Sequence, residues 1–207
     1  MISAAWPYVL TLAVPATLLF AFHHPLPGAI LLIAAICIAL FFRDPDRRIP
    51  VGDELVVSPA DGRVVEVRTA NGTEDARVAI FLSLFNVHVN RSPIQGKIVS
   101  VNYSPGSFRP AYDPLASSTN ERNTLALEGP LGKMDVSQIA GIIARRIRCF
   151  KKAGDTVERG ERIGYIAFGS RTELTLPAKA EIVVSVGDTV RGGESVIAKL
   201  PGERGNA

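Results

Sequence analysis

Histidine and cysteine are scarce in this chain, and their scarcity removes several kinds of chemistry. Three histidines and two cysteines occur in 207 residues. Cys37 lies inside an apolar run and Cys149 far from it, with no second thiol at metal-ligand or redox spacing. Both read as packing residues, and no metal centre is expected. His23 and His24 adjoin a turn with no third ligand nearby, which suits interfacial polar side chains better than ligands. Charge excess is also lacking: the net charge is +3 with a pI near 9.0, and the basic residues are scattered rather than grouped into aromatic-interleaved stripes. No nucleic-acid partner is expected, and a weak attraction to anionic lipid fits better. No basic segment precedes the first apolar stretch, which disfavours a cleavable signal peptide.

Apolar sequence is plentiful at the start. Ala4 to Phe22 carries no charge, His23-His24-Pro25-Leu26-Pro27 interrupts it, and a second apolar run follows from Gly28 to Phe42. A bilayer span needs roughly 17 to 25 residues, so the first run is about long enough and the second marginal. A membrane-associated helical hairpin over residues 1–43, spanning or dipping into the bilayer, is expected; a hairpin buried in a soluble protein competes with it. Arg43, Arg47 and Arg48 follow directly, which by the positive-inside tendency puts the rest of the chain at the cytoplasmic face of the cell membrane.

Asp44-Pro45-Asp46 and Ile49-Pro50 break helix and mark a linker, so a second domain occupies 44–207, with its folded part starting near Val51. Its texture is mainly β. Short β-branched stretches at Val64–Val67, Val78–Leu82, Ile98–Val101 and Ile182–Val186 alternate with Gly, Pro and Asp. Val136–Arg148 has helix-like apolar spacing and late basic residues, although its β-branched content makes a strand pair a competitor. Two patterns recur. Pro-x-x-Gly/Ala appears at Pro59, Pro93 and Pro177, and Gly154-Asp155-Thr156-Val157 with Gly160-Glu161 is echoed by Gly187-Asp188-Thr189-Val190 with Gly193-Glu194. These Gly-Asp units resemble lipoyl and biotinyl carrier domains, which implies a lipoyl-like barrel-sandwich hybrid and leaves the chemistry open.

The chemistry-bearing stretch is Ile163-Gly164-Tyr165-Ile166-Ala167-Phe168-Gly169-Ser170-Arg171, with Thr172-Glu173-Leu174 and Pro177 after it. A Gly-Ser step alone is weak. Here it stands in order behind Ser58-Pro59-Ala60-Asp61-Gly62, Phe85-Asn86-Val87-His88-Val89-Asn90-Arg91, Asn120-Glu121-Arg122-Asn123 and Gly160-Glu161. From about Arg43 to about Leu200 the chain resembles the short, type A-like form of the phosphatidylserine decarboxylase proenzyme family.

The resemblance implies a pyruvoyl cofactor made from Ser170. Loss of carbon dioxide from an amino acid leaves a carbanion that needs an electron sink. In the family a Schiff base to a pyruvoyl group provides it. No glycine-rich strand-to-helix loop suited to pyridoxal phosphate stands out. By the family's route the serine hydroxyl attacks the preceding glycine carbonyl, and the ester eliminates to dehydroalanine and hydrolyses to pyruvoyl and ammonia. Glycine at 169 suits this, since it tolerates unusual dihedrals and leaves the carbonyl open. The chain would become 1–169 and 170–207, associated after cleavage. Asp61 and His88 are the implied acid-base pair, an imidazole oriented by a carboxylate being the common way to activate a serine; an Asp-Gly turn and an ordinary buried histidine are the competing readings.

One departure stands out. Longer family members carry two histidines three residues apart, and here Arg91 holds the second position; it cannot act as a base at neutral pH. Arg91, Arg109, Arg122 and Arg171 are the candidates for holding a phosphate or carboxylate, without a ranking. The implied activity is decarboxylation of a serine phospholipid, drawn from the bilayer, to the ethanolamine phospholipid, and a homodimer stays open. The rival is a non-enzymatic membrane adaptor or carrier on the same barrel. A carrier would present a lysine beside methionine at a hairpin tip, and Lys133-Met134, the one such pair, lies outside both Gly-Asp repeats.

Overall fold

In the computed structural model, residues 5–71, 75–111, 113, 115–142, 146–167 and 169–200 are described. Ala4 of the first apolar run, residues 143–145 of the expected helix and Phe168 of the Gly-Ser stretch lie outside them. The chain divides into two compact units, Met1–Asp46 and Arg47–Ala207.

The first unit holds helices α1 (Trp6–Ala21) and α2 (Pro25–Phe41), each with proline in its first turn, where a missing N–H costs nothing. At 1.5 Å per residue they are about 24 and 26 Å long, short of a hydrocarbon core of about 30 Å. Among the described residues no helix is long and apolar enough to cross a membrane. They meet through small residues: Ala16, Gly28 and Ala35 are buried, and a Cβ on Gly28 would lie 3.2 Å from the Ala16 carbonyl oxygen. Leu10, Val14 and Leu18 of α1 and Ile30, Ile33 and Leu40 of α2 face outward. Cys37 is exposed on α2 rather than packed.

The second unit is mainly β. Its strands are β1 (Leu55–Val57), β2 (Gly62–Arg68), β3 (Ala76–Leu82), β4 (Val89–Arg91), β5 (Gly96–Ser104), β6 (Arg122–Gly129), β7 (Gly132–Ile139), β8 (Ile147–Cys149), β9 (Thr156–Val157), β10 (Arg162–Ile166), β11 (Ser170–Leu176), β12 (Glu181–Ile182), β13 (Thr189–Val190) and β14 (Val196–Lys199), with one short helix, α3 (Ala116–Thr119). Eight strands form one curled sheet in the order β13-β2-β3-β11-β7-β6-β5-β9, and two three-stranded sheets run β1-β14-β12 and β4-β10-β8. Ile80, Leu125, Val136 and Leu174 are fully buried in the core, each worth about 1.5–3 kcal/mol of transfer free energy.

Of Val136–Arg148, the described residues hold no helix: Val136–Ile139 belongs to β7 and Ile147–Arg148 to β8. β7 is paired along one edge with β6 and along the other with β11, and the ladder on both sides overrides a weak helical spacing. The strand expected at Ile182–Val186 shortens to Glu181–Ile182. The Gly-Asp repeats take one shape twice. Asp155 Oδ2 accepts from the Lys152 N–H at 2.9 Å and Asp188 Oδ2 from the Ser185 N–H at 2.8 Å, and Gly154 and Gly187 turn at φ 96° and 103°. The first repeat then adds β9 to β5 and the second adds β13 to β2, capping opposite ends of the eight-stranded sheet.

Candidate active site

The sequence motifs converge through strand register. Arg63 pairs with Phe81, Ser170 with Leu82, Arg171 with Ile139, Arg122 with Ile139, and Ser104 with Arg122. Because these neighbours are antiparallel, β2, β11 and β6 begin at the edge of the sheet where β3, β7 and β5 end. Asp61, Gly169-Ser170 and Asn120-Glu121 therefore share that edge, although up to about a hundred residues separate them in the chain.

Ser170 opens β11 and is fully buried. Its Oγ has no hydrogen-bond partner among the described residues. A buried hydroxyl without a partner costs roughly 1–3 kcal/mol, so it marks a reactive position more than a structural one. Gly169, just before it, has φ +66°, a left-handed conformation that favours glycine. Space is not its constraint, since a Cβ there would meet nothing within 4 Å.

His88 reaches the same place from the neighbouring sheet. It precedes β4, its carbonyl accepts from the Ile166 N–H at 3.3 Å, and its side chain is almost wholly buried. Nδ1 donates to the Asn86 carbonyl at 2.9 Å, and Nε2 accepts from the Gly169 N–H at 3.3 Å. Those two bonds fix the tautomer with the proton on Nδ1 and the Nε2 lone pair toward the Gly169-Ser170 segment. The structure thus brings His88, Gly169 and Ser170 together.

Asp61 sits at the same sheet edge with different partners. Both carboxylate oxygens accept from Arg47 Nη2, at 2.9 and 3.0 Å, and Oδ1 also takes the Gly192 N–H at 2.8 Å. Among the described residues these bonds of Asp61 go to Arg47 and Gly192, while the His88 ring bonds the Asn86 carbonyl. Arg47 lies 3.7 Å from Glu194 as well. The Glu194 carboxyl is held below its ordinary range by the Arg48 N–H, which outweighs burial, with Arg47 adding attraction. Glu161, its counterpart in the first repeat, is also held low: burial alone would raise it, but Lys151 and the Glu158 N–H overcome that.

The four arginines now differ. Arg171 is buried between Glu66 at 2.5 Å and Glu173 at 2.7 Å. Arg91 is buried and donates to the Gly160 carbonyl at 3.0 Å, and Arg122 donates to the Ser117 carbonyl. Arg109 is half exposed, 3.6 Å from Asp113. Among the described residues no group of three or more His, Cys, Asp or Glu could hold a metal ion. Lys133 stands next to the β6–β7 turn, but Met134 is buried in the core, so the pair is not displayed as a carrier's would be. Cys149 packs against the core as expected.

Sequence reasoning passed over a buried polar chain beside Ser170. Asn90 Nδ2 donates to Thr172 Oγ1 at 3.0 Å, Gln138 Nε2 donates to Asn90 Oδ1 at 2.9 Å, and Asn123 Nδ2 donates to Gln138 Oε1 at 3.1 Å. Asn90 and Asn123 stood inside recognised motifs. A helical spacing over Val136–Arg148 gives Gln138 no special place, but on a strand it shares the inward face with Met134 and Val136. Asn120 is a second such residue, with Nδ2 donating to the carbonyls of Arg109 (2.9 Å) and Ala140 (2.8 Å).

A mainly β protein whose buried, unbonded serine hydroxyl follows a left-handed glycine, with an imidazole lone pair turned to that step, is the class the fold and site define. The phosphatidylserine decarboxylase family model matches residues 34–198. The chain is similar to phosphatidylserine decarboxylase proenzymes of Symbiobacterium thermophilum (46% identity, covering 95% of this chain and 94% of the relative), Anaplasma phagocytophilum (42%, 96% and 90%) and Rickettsia akari (44%, 92% and 86%). It belongs to the phosphatidylserine decarboxylase family.

Proposed function

We propose that this chain is a self-processing enzyme that decarboxylates phosphatidylserine to phosphatidylethanolamine, using a pyruvoyl group derived from Ser170. The observation that carries the reading is the buried Ser170 Oγ, without a hydrogen bond among the described residues, directly after a left-handed Gly169 whose own N–H donates to His88 Nε2.

In processing, Ser170 Oγ bonds to the Gly169 carbonyl carbon as His88 Nε2 takes the hydroxyl proton. The peptide C–N bond breaks and the nitrogen receives a proton, leaving an ester between Gly169 and the Ser170 side chain. Loss of the Ser170 Cα proton expels the Gly169 carboxylate and gives dehydroalanine; water then adds and ammonia leaves. The resulting ketone supplies the electron sink for decarboxylation. For that reaction the chain contributes burial of the site, which excludes water, and His88 Nε2 as the group that handles a proton next to it. Ser170 begins a strand paired with β3 and β7, and Arg171 on the small chain binds Glu66 on the large one, which supports association of 1–169 with 170–207.

The paired Gly-Asp units support a lipoyl-like barrel-sandwich form for the second unit. The outward apolar faces of α1 and α2 support a membrane-associated hairpin over residues 1–43, preceding the decarboxylase domain 44–207, at the cytoplasmic face of the cell membrane, where a lipid substrate is met at headgroup level. Intact mass of the purified protein tests the central reading. Two pieces split between Gly169 and Ser170, the smaller carrying an N-terminal ketone, are expected; one full-length polypeptide with an ordinary serine refutes it.

A further inference from the structure

We infer that Gly141 is a positioning residue for self-cleavage, the seat on which the scissile Gly169 carbonyl rests; this builds on the processing reaction proposed above. Gly141 is buried two residues beyond the end of β7. A Cβ there would stand 2.1 Å from the Gly169 carbonyl oxygen and 3.2 Å from the Gly169 carbonyl carbon, with Ala111 Cβ also at 3.2 Å.

Glycine is required at 141 and at 169 for opposite reasons. Gly169 is left-handed with open space where a side chain would go. Gly141 is not among the glycines of positive φ, so no left-handed turn calls for glycine there, and the constraint is one of room. What occupies that room is the carbonyl that Ser170 must attack. The seat itself is held fast. The Ala140 N–H donates to the Glu121 carbonyl at 2.9 Å, and the Ala140 carbonyl accepts from Asn120 Nδ2 at 2.8 Å. Asn120 also pins Arg109, two residues before Ala111, through its N–H and its carbonyl. Gly141 therefore cannot retreat easily, and an added methyl group moves the carbonyl instead.

Contact between a methyl carbon and an oxygen below 3.0 Å is essentially never seen, so relieving 2.1 Å requires a shift of about 1 Å, and a misplacement of that size in a reacting group costs on the order of a hundredfold in rate. Once the peptide is cut, the carbonyl of Gly169 is no longer joined to residue 170, and the constraint should cease to matter.

The experiment follows processing of full-length Gly141→Ala by intact mass, with and without hydroxylamine, which intercepts the Gly169–Ser170 ester. Turnover of the slowly formed cut fraction is measured per pyruvoyl group. Processing about a hundredfold slower, not restored by hydroxylamine, with turnover per pyruvoyl close to wild type, supports the assignment. Wild-type processing overturns it. Restoration by hydroxylamine places the block after ester formation and also overturns it. Turnover per pyruvoyl falling alongside processing shows a general structural defect, which overturns it too. Should the wild-type chain itself stay uncut, the processing reaction and not the seat has failed.

Discussion

Removing the imidazole of His88 separates base chemistry from structural support, because the two are read by different assays. His88→Ala loses the Nδ1–H bond to Asn86 and the Nε2 bond from Gly169, each worth about 1 kcal/mol net and the longer one less. Truncating a buried side chain adds a cavity cost of about 2–5 kcal/mol, so the variant should fold with lowered stability within the typical range of about 5–15 kcal/mol. Loss of a general base slows a reaction about a hundred- to ten-thousandfold, or about 2.7–5.4 kcal/mol of barrier at 1.36 kcal/mol per decade. The kinetic effect is read from the rate of processing and the structural one from unfolding, so the two can be told apart. His88→Gln sharpens the test, since an amide can accept from the Gly169 N–H but cannot carry the proton; it should recover stability and remain slow. Processing is timed by intact mass, decarboxylation is normalised to pyruvoyl content, and stability is measured by thermal unfolding in a Ser170→Ala background, where no chain is cut. Slow processing and poor turnover in both variants are expected. Rapid, complete processing with lost decarboxylation would confine His88 to turnover, and wild-type rates in both steps would refute the reasoning.

Three further outcomes follow from the geometry. Asp61→Asn removes the charge facing Arg47, whose side chain is 5% exposed and which keeps Glu194 at 3.7 Å, so it should lower stability by about 1.5–3 kcal/mol; a double-mutant cycle with Arg47→Gln should show coupling in thermal unfolding, and additivity would disprove the clamp. Deleting residues 1–42 should leave self-cleavage largely intact while turnover on liposomes drops more than turnover on a short-chain soluble substrate; equal liposome activity would remove the anchoring argument. Glu161 and Glu194 have carboxyls held below their ordinary 4.5. Their stabilising contribution is complete above that value and is lost as pH falls through the lowered folded value, so Glu161→Gln should flatten the decline of stability below about pH 4.5, measured by denaturant unfolding across pH; an unchanged slope would contradict it.

Local chemistry determined much of this protein by itself. Two apolar runs around a His-His-Pro turn give two helices, β-branched runs between Gly, Pro and Asp give strands, and the two Gly-Asp units fold alike because a turn aspartate and a left-handed glycine act within a few residues. The Gly169-Ser170 step and His88 were legible because order along the chain preserved their company. Tertiary structure decided the rest through pairings between distant segments. Val136–Ile139 became strand because β6 and β11 flank it. Asp61 turned to Arg47 and Gly192, as both approach it from parts of the chain that no local pattern connects to it. Gln138 entered a buried polar chain, and Gly141 came to lie under the Gly169 carbonyl. Spacing along a sequence records the forces between near neighbours, whereas burial of Ser170 and the room left at Gly141 exist only once β3, β11 and β7 are side by side.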